Sequence, residues 1–281
     1  MAQASDRETE KKSARARLGD EEKQIAAPLS PEALEAYGQL PAPAAAGGFD
    51  PEGAWRQVYR IWMTGGPSAN YRGYLALERQ PAAAGSFALN IEQVFLSERM
   101  RAVHETSAQI QCSGPLAVPS RWRLSSRVRD FATGEEYPEA AVEQEGALEG
   151  ETLWIATKGE KKAHRAPAAW TANWTLFEAL QRLPRSETAN LKFDLLDDLD
   201  IWKTGHRLAY RGEESVLFGG QTASVARFDQ IGRGCLPQRY YVDGQGRLLL
   251  SHTALRAYIL DPAALDVHAA KIEALQKKEM K

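Results

Sequence analysis

The sequence predicts a mainly β protein: a strongly curved antiparallel sheet, an incomplete barrel or clam, carrying a few packed helices. Three observations predict it. Apolar and polar residues alternate with a period of two through most of the stretch from about Tyr71 to Leu260, the mark of strands with one buried and one wet face. Glycine-bearing turn signals recur between these runs, at Lys158-Gly159, Arg211-Gly212, Gly219-Gly220 and Asp243-Gly244. Finally, about a dozen strand segments are too many for a flat open sheet, which curls at that width.

Taken in order, residues 1–27 carry mixed charge and almost no large apolar side chains, so they cannot bury enough surface to order themselves. In "LSPEALEAYG" Ser30 is a helix cap, Pro31 suits the first turn and Gly38 is the stop. "PAPAAAGG", 41–48, reads as a flexible linker. The expected division is a disordered or partly helical tail over 1–48, a β-clam over 49–261 and a C-terminal helix over 262–281.

The body opens on "FDPEGAWRQVYRIWMTGG", where Trp55, Val58, Tyr59 and Trp62 recur at helical spacing and Gly65-Gly66 would end an amphipathic helix. Strands follow. "YRGYLALERQ", "FALNIEQVF", "HETSAQIQC" and "SRWRLSSRVRDF" each alternate, the last setting Trp122, Leu124 and Val128 against Arg121, Arg123, Arg127 and Arg129. "AAVEQEGALEG" and "ETLWIATKGE" continue the pattern. "TANWTLFEALQRLP" reads as a helix capped by Thr171 and stopped by Pro184, with Trp170, Trp174 and Phe177 facing one way. The final third is strand and turn again, ending in the hairpin "RYYVDGQGRLLLSHTALRAYIL". A helix begins at Asp261-Pro262, with Leu265, Ala269, Ile272 and Leu275 on one face. The helices are expected against the concave side of the sheet.

The meander together with "YRGEESVLFGGQTASVARFDQIGRG…PQRYYVDGQGRLLL" resembles a bacterial family of exported β-clam proteins of unknown function, over roughly residues 68–260. Those proteins are similar in fold to the periplasmic lipoprotein carriers. The family often has Trp where this chain has Tyr241. The resemblance implies an incomplete barrel and export, and carries no catalytic residue. Ala2-Gln3-Ala4 before Ser5 has the small-x-small look of a signal cleavage site, which fits a periplasmic or secreted protein. A charged start without an apolar leader leaves a cytoplasmic one as the alternative.

Lys plus Arg (35) nearly balances Asp plus Glu (37), so no global field draws nucleic acid or an anionic membrane. No apolar run is long enough to span a bilayer. Cys112 and Cys235 could form one disulfide or sit as small apolar groups, and the second reading is preferred.

No C-x-x-C, zinc-protease helix, G-x-S-x-G elbow or phosphate loop occurs, so no metal or cofactor is expected. His104 falls on an apolar face, as a core histidine would, and His206 and His252 lie near strand ends. Asp194, Asp197, Asp198 and Asp200 form a run interrupted by leucines. That run reads as a solvated acidic turn rather than a calcium loop.

Two features bear on function. Arg121, Arg123, Arg127 and Arg129 make a basic stripe that could meet anions or pair with Glu143 and Glu145 on the next strand. Trp122, Leu124, Val128, Trp154, Trp170, Trp174 and Phe177 would line the hollow and form an apolar binding face, unless the protein's own helices fill it. The function expected is a non-enzymatic binding module of the cell envelope that accepts an apolar small molecule, a lipid or a lipidated protein. One alternative is a scaffold with a fully packed clam acting through its outer surface. Another is a hydrolase assembled from dispersed His and Asp residues.

Overall fold

A computed structural model describes residues 29–43, 47–64, 70–186 and 190–279. Fifteen strands form one sheet: β1 (Trp55–Met63), β2 (Asn70–Pro81), β3 (Ser86–Ser97), β4 (Ala102–Ser113), β5 (Val118–Asp130), β6 (Val142–Glu149), β7 (Thr152–Thr157), β8 (Glu160–Arg165), β9 (Trp170–Ala172), β10 (Asn190–Asp197), β11 (Ile201–Phe218), β12 (Gln221–Ile231), β13 (Gln238–Asp243), β14 (Leu248–His252) and β15 (Arg256–Leu260). Helices α1 (Pro31–Ala36), α2 (Asn173–Ala179) and α3 (Ala264–Glu279) complete the elements used below.

The spatial order is β8-β7-β6-β5-β4-β3-β2-β1-β15-β14-β13-β12-β11-β10-β9. Two antiparallel meanders are therefore joined where β1 pairs with β15, Tyr59 opposite Leu260 and Met63 opposite Arg256. Only β9 runs parallel to its neighbour, β10. The sheet curls without closing, and β9 comes back near β5 across the hollow. At the free margin, "EKKAHR" of β8 is exposed and charged, which discourages further strand addition.

The curled sheet has apolar residues on both faces. Inward-facing Tyr59, Ile61, Leu75, Leu77, Leu89 and Phe228 belong to the main core together with Trp174 and Phe177 of α2. On the convex face, Val58, Tyr74, Ala76 and Val94 pack under α3 with Ala264, Leu265, Ile272 and Leu275. Leu29, Leu34 and Leu40 cover Phe218, Tyr241, Leu249 and Ile259. A two-sided sheet needs a cover on each side, and of helices α1, α2 and α3, α2 alone packs in the concavity. The α1 segment and α3 lie on the convex face, which corrects the expectation of helices against the concave side.

The helix expected over 49–66 is strand β1. Its aromatic and β-branched residues are buried on both faces, Tyr59 and Ile61 inward and Val58 and Trp62 outward, so no period of two survives. The chance spacing of Trp55, Val58, Tyr59 and Trp62 then imitates a helix. Gly65-Gly66 lie outside the described residues, as do residues 1–28 with the cleavage-like Ala2-Gln3-Ala4.

Arg211-Gly212 is not a turn. It sits in an irregularity of β11, where the pairing with β12 shifts register between Tyr210 and Glu213, and Gly212 has φ +100°. A bulge and a turn ask for the same glycine, which is why the sequence signal was ambiguous. Gly219-Gly220 does turn the chain, and Glu35 of the N-terminal segment reaches it: its carboxylate accepts from both glycine amides, at 2.9 and 2.8 Å. Ser30 caps α1 as expected, its hydroxyl accepting from Ala33 N at 3.2 Å.

α2 is shorter than expected. Thr171 belongs to β9, and Thr175 at the helix start bonds the Ala172 amide at 3.1 Å. A buried ion cluster then ties the helix to the sheet. Glu178 takes Arg79 Nε at 2.8 Å and both Nε and Nη2 of Arg182 at 2.7 Å, with its side chain fully buried. Arg79 also donates to the carbonyls of Glu52 and Gly53 and lies over the Phe87 ring at 4.4 Å. Among the described residues, no helix is long and apolar enough to cross a membrane.

Candidate functional site

α2 plugs most of the concavity. Phe177 meets Tyr59, Tyr240 and Tyr258 edge-on, with ring centres 5.5, 6.0 and 5.3 Å apart. Trp174 is fixed by donating from Nε1 to Gln93 Oε1 at 3.1 Å. Beyond these two residues the plug stops short, leaving a cavity of about 430 Å³. That volume lies within the range of small-molecule sites.

Its floor is Trp174, Phe177, Leu75, Leu195, Tyr240 and Tyr258. Its mouth lies between the β12–β13 and β14–β15 loops, where Leu236 and Leu255 stand 48% and 52% exposed. Cys235, Lys203, Asp197, Asp198 and Arg256 line the same opening. Gln93, Gln230, Gln238 and Thr253 also line it, so the site joins an aromatic floor to polar walls, with two large exposed leucines at its edge.

The charges of the mouth are partly spent on each other. Lys203 Nζ bonds Asp197 at 2.5 Å, and Asp198 receives Asn173 Nδ2 at 2.8 Å. Burial pushes the Cys235 thiol up from its ordinary range. Both cysteines are free, Cys112 buried and Cys235 half-buried. Among the described residues no group of three or more His, Cys, Asp and Glu is placed to hold a metal ion.

Of the apolar residues singled out from the sequence, Trp174 and Phe177 line this cavity. Trp122, Leu124 and Trp170 are buried in the main core away from it. Trp122 Nε1 donates to Gln144 at 2.9 Å, and the ring lies so close over Gly146 that a Cβ there would fall 2.1 Å from it. Val128 is half-buried on β5. Trp154 does not share their side. Its strand neighbours Leu153 and Ile155 enter the core, so Trp154 stands on the convex face, with Lys161 Nζ 4.3 Å above its ring.

Trp154 meets the arginine stripe there. Arg121, Arg123, Glu145, Trp154 and Lys161, with an edge of Trp122, line a convex groove of about 570 Å³. Arg123 pairs with Glu145 at 3.1 Å, Arg127 with Glu136 at 3.7 Å and Arg129 with Glu105 at 2.8 Å. Such exposed pairs contribute little, about 0–1 kcal/mol each.

The histidines sit apart. His104 is half-buried against Phe95, His206 Nδ1 meets Gln230 at 2.9 Å, and His252 stacks on Tyr241. His268 on α3 packs between Tyr71 and Tyr74. Burial lowers the pKa of His206, His252 and His268 below the ordinary 6.5. The folded state thus binds protons less readily than the unfolded chain. The stability this gives is whole above about pH 6.5 and is lost as pH falls through the interval below it. Urea midpoints should be level near neutrality and decline between about pH 6.5 and 5, above the carboxylate range. A flat profile across that window would refute the burial argument.

Sequence reasoning missed Tyr240, Tyr258, Cys235, Leu236, Leu255 and Arg256. In β15 the alternation was available: Arg256, Tyr258 and Leu260 share one face, while Ala257 and Ile259 pack outward.

No family model matches the chain, and no curated protein matches it. Among solved structures the chain is similar to a beta-barrel-like protein of a domain of unknown function, DUF1849, from Brucella abortus. Identity is 12%, the match covers 75% of this chain and 96% of that one, and the TM-score is 0.52. That likeness shows a shared β-barrel-like fold.

Proposed function

We propose that this β-barrel-like protein is a binding module that takes an apolar or amphipathic ligand, a lipid or the acyl part of a lipidated protein, into the cavity beside α2. The observation that carries the reading is the unfilled aromatic floor of Trp174, Phe177, Tyr240 and Tyr258, opening between two exposed leucines. A site whose catalysis required a positioned base would need a histidine or carboxylate aimed at a nucleophile. Neither His206, which faces an amide, nor His252, which faces a tyrosine ring, lines the cavity, and Asp197 at its mouth is bonded to Lys203. The resemblance of residues 68–260 to exported clam proteins supports a place in the cell envelope, periplasmic or secreted.

Cys235 provides the test. Its thiol lines the cavity while Cys112 is sealed in the core, so a maleimide should modify one cysteine in the native protein. Because burial raises the Cys235 pKa, little thiolate exists at neutral pH, and the rate should keep climbing with pH beyond the point where a free thiol levels off. N-phenyl-1-naphthylamine, a neutral hydrophobic fluorophore, should brighten on binding at one site per chain and slow this modification several-fold. No brightening together with an unchanged rate would defeat the proposal.

A further inference from the structure

The geometry points to an anionic head group: we infer that the cavity takes a single-chain amphiphile whose carboxylate is held at the mouth by Arg256 and Tyr258, with its tail on Trp174 and Phe177. This rests on the cavity being a ligand site. Lys203 and Asp197 satisfy each other, and Asp198 is engaged by Asn173. Arg256 makes no direct salt bridge among the described residues, although the charges of Asp198 and Asp197 reach it; its guanidinium donates from Nη1 to the Tyr258 hydroxyl at 3.2 Å and lies 5.9 Å from the Phe95 ring centre.

A hydroxyl that accepts from arginine keeps its own proton to donate. Arg256 and Tyr258 therefore present guanidinium N–H groups and an O–H side by side, the donor set that a planar carboxylate accepts. Tyr258 also meets Phe177 edge-on at 5.3 Å, so the head-group donors adjoin the aromatic floor. Leu255, next to Arg256 in the chain, stands exposed at the opening. The alternation of β15 builds this arrangement, since residues two apart in a strand share a face.

The test displaces N-phenyl-1-naphthylamine from the full chain with dodecanoate, dodecanol and dodecyltrimethylammonium, each below its aggregation threshold. Dodecanoate should act at about one tenth of the dodecanol concentration, the effect of one charge-assisted hydrogen-bonded contact. In Arg256→Gln the ratio of dodecanoate to dodecanol potency should fall to about one, and Tyr258→Phe should reduce it with the ring retained. Arg256 is exposed, so its replacement leaves the core in place. Equal displacement by dodecanoate and dodecanol would overturn the inference. So would strongest displacement by the ammonium compound, which would assign the mouth to Asp197 and Asp198. If the fluorophore binds but the head group makes no difference, the cavity stands and the carboxylate assignment falls. If nothing binds, both fall.

Discussion

Replacing Glu178 with glutamine should destabilise the protein by about 3–5 kcal/mol, the cost of stranding buried charge. The carboxylate is fully buried and is shared by Arg79 and Arg182, so neutralising it leaves two guanidinium groups facing one amide. Arg79 cannot retreat to water easily. Its side chain is 7% exposed and anchored to two carbonyls of the loop before β1. Urea denaturation gives the number. The triple variant Arg79→Met, Glu178→Leu, Arg182→Met should recover much of the loss, because removing a whole buried ion cluster is often close to neutral. A Glu178→Gln loss under about 1 kcal/mol would mean that water reaches the cluster.

Gly73→Ala should cost about 3 kcal/mol or more, from strain and overpacking together. Gly73 has φ +132°, and a Cβ there would lie 1.9 Å from the Val94 carbonyl oxygen on β3. The obstacle is backbone inside the sheet, so relief requires β2 and β3 to part. The matched control is Gly150→Ala in the β6–β7 turn. Its φ is +62° and a Cβ would meet nothing within 4 Å, leaving only left-handed strain of about 1–2 kcal/mol. Calorimetric melting of the two variants should separate them clearly. Equal losses would show that the Val94 contact is relieved at no cost.

The parts of the fold that the sequence disclosed are those where one face of a strand is wet. In β4, Ala108, Ile110 and Cys112 are buried while Ser107, Gln109 and Gln111 are exposed, and the alternation could be read directly. In β1 both faces are covered, and the pattern vanished under a false helical spacing. β9 is three residues long and wholly buried, too short for any period to show. The same logic governs the cavity. Trp174 and Phe177 were legible because they sit on one helix, whereas Leu75, Leu195, Tyr240 and Tyr258 come from four strands that only the curl of the sheet brings together. Trp154 failed for a subtler reason: it lies on the strand face opposite its buried neighbours Leu153 and Ile155, and aromatic character alone does not say which face is inner.

The pairing of β1 with β15 has a kinetic consequence. Apart from the parallel β9–β10 pair, each meander is made of hairpins whose partners are close along the chain, but the β1–β15 register links Tyr59 to Leu260, across nearly the whole domain. Closing so distant a contact requires a large loop entropy to be met before its hydrogen bonds form. The two halves should therefore assemble early and the join between them late, so pulsed hydrogen exchange during refolding should protect the β1–β15 amides after those of the hairpins.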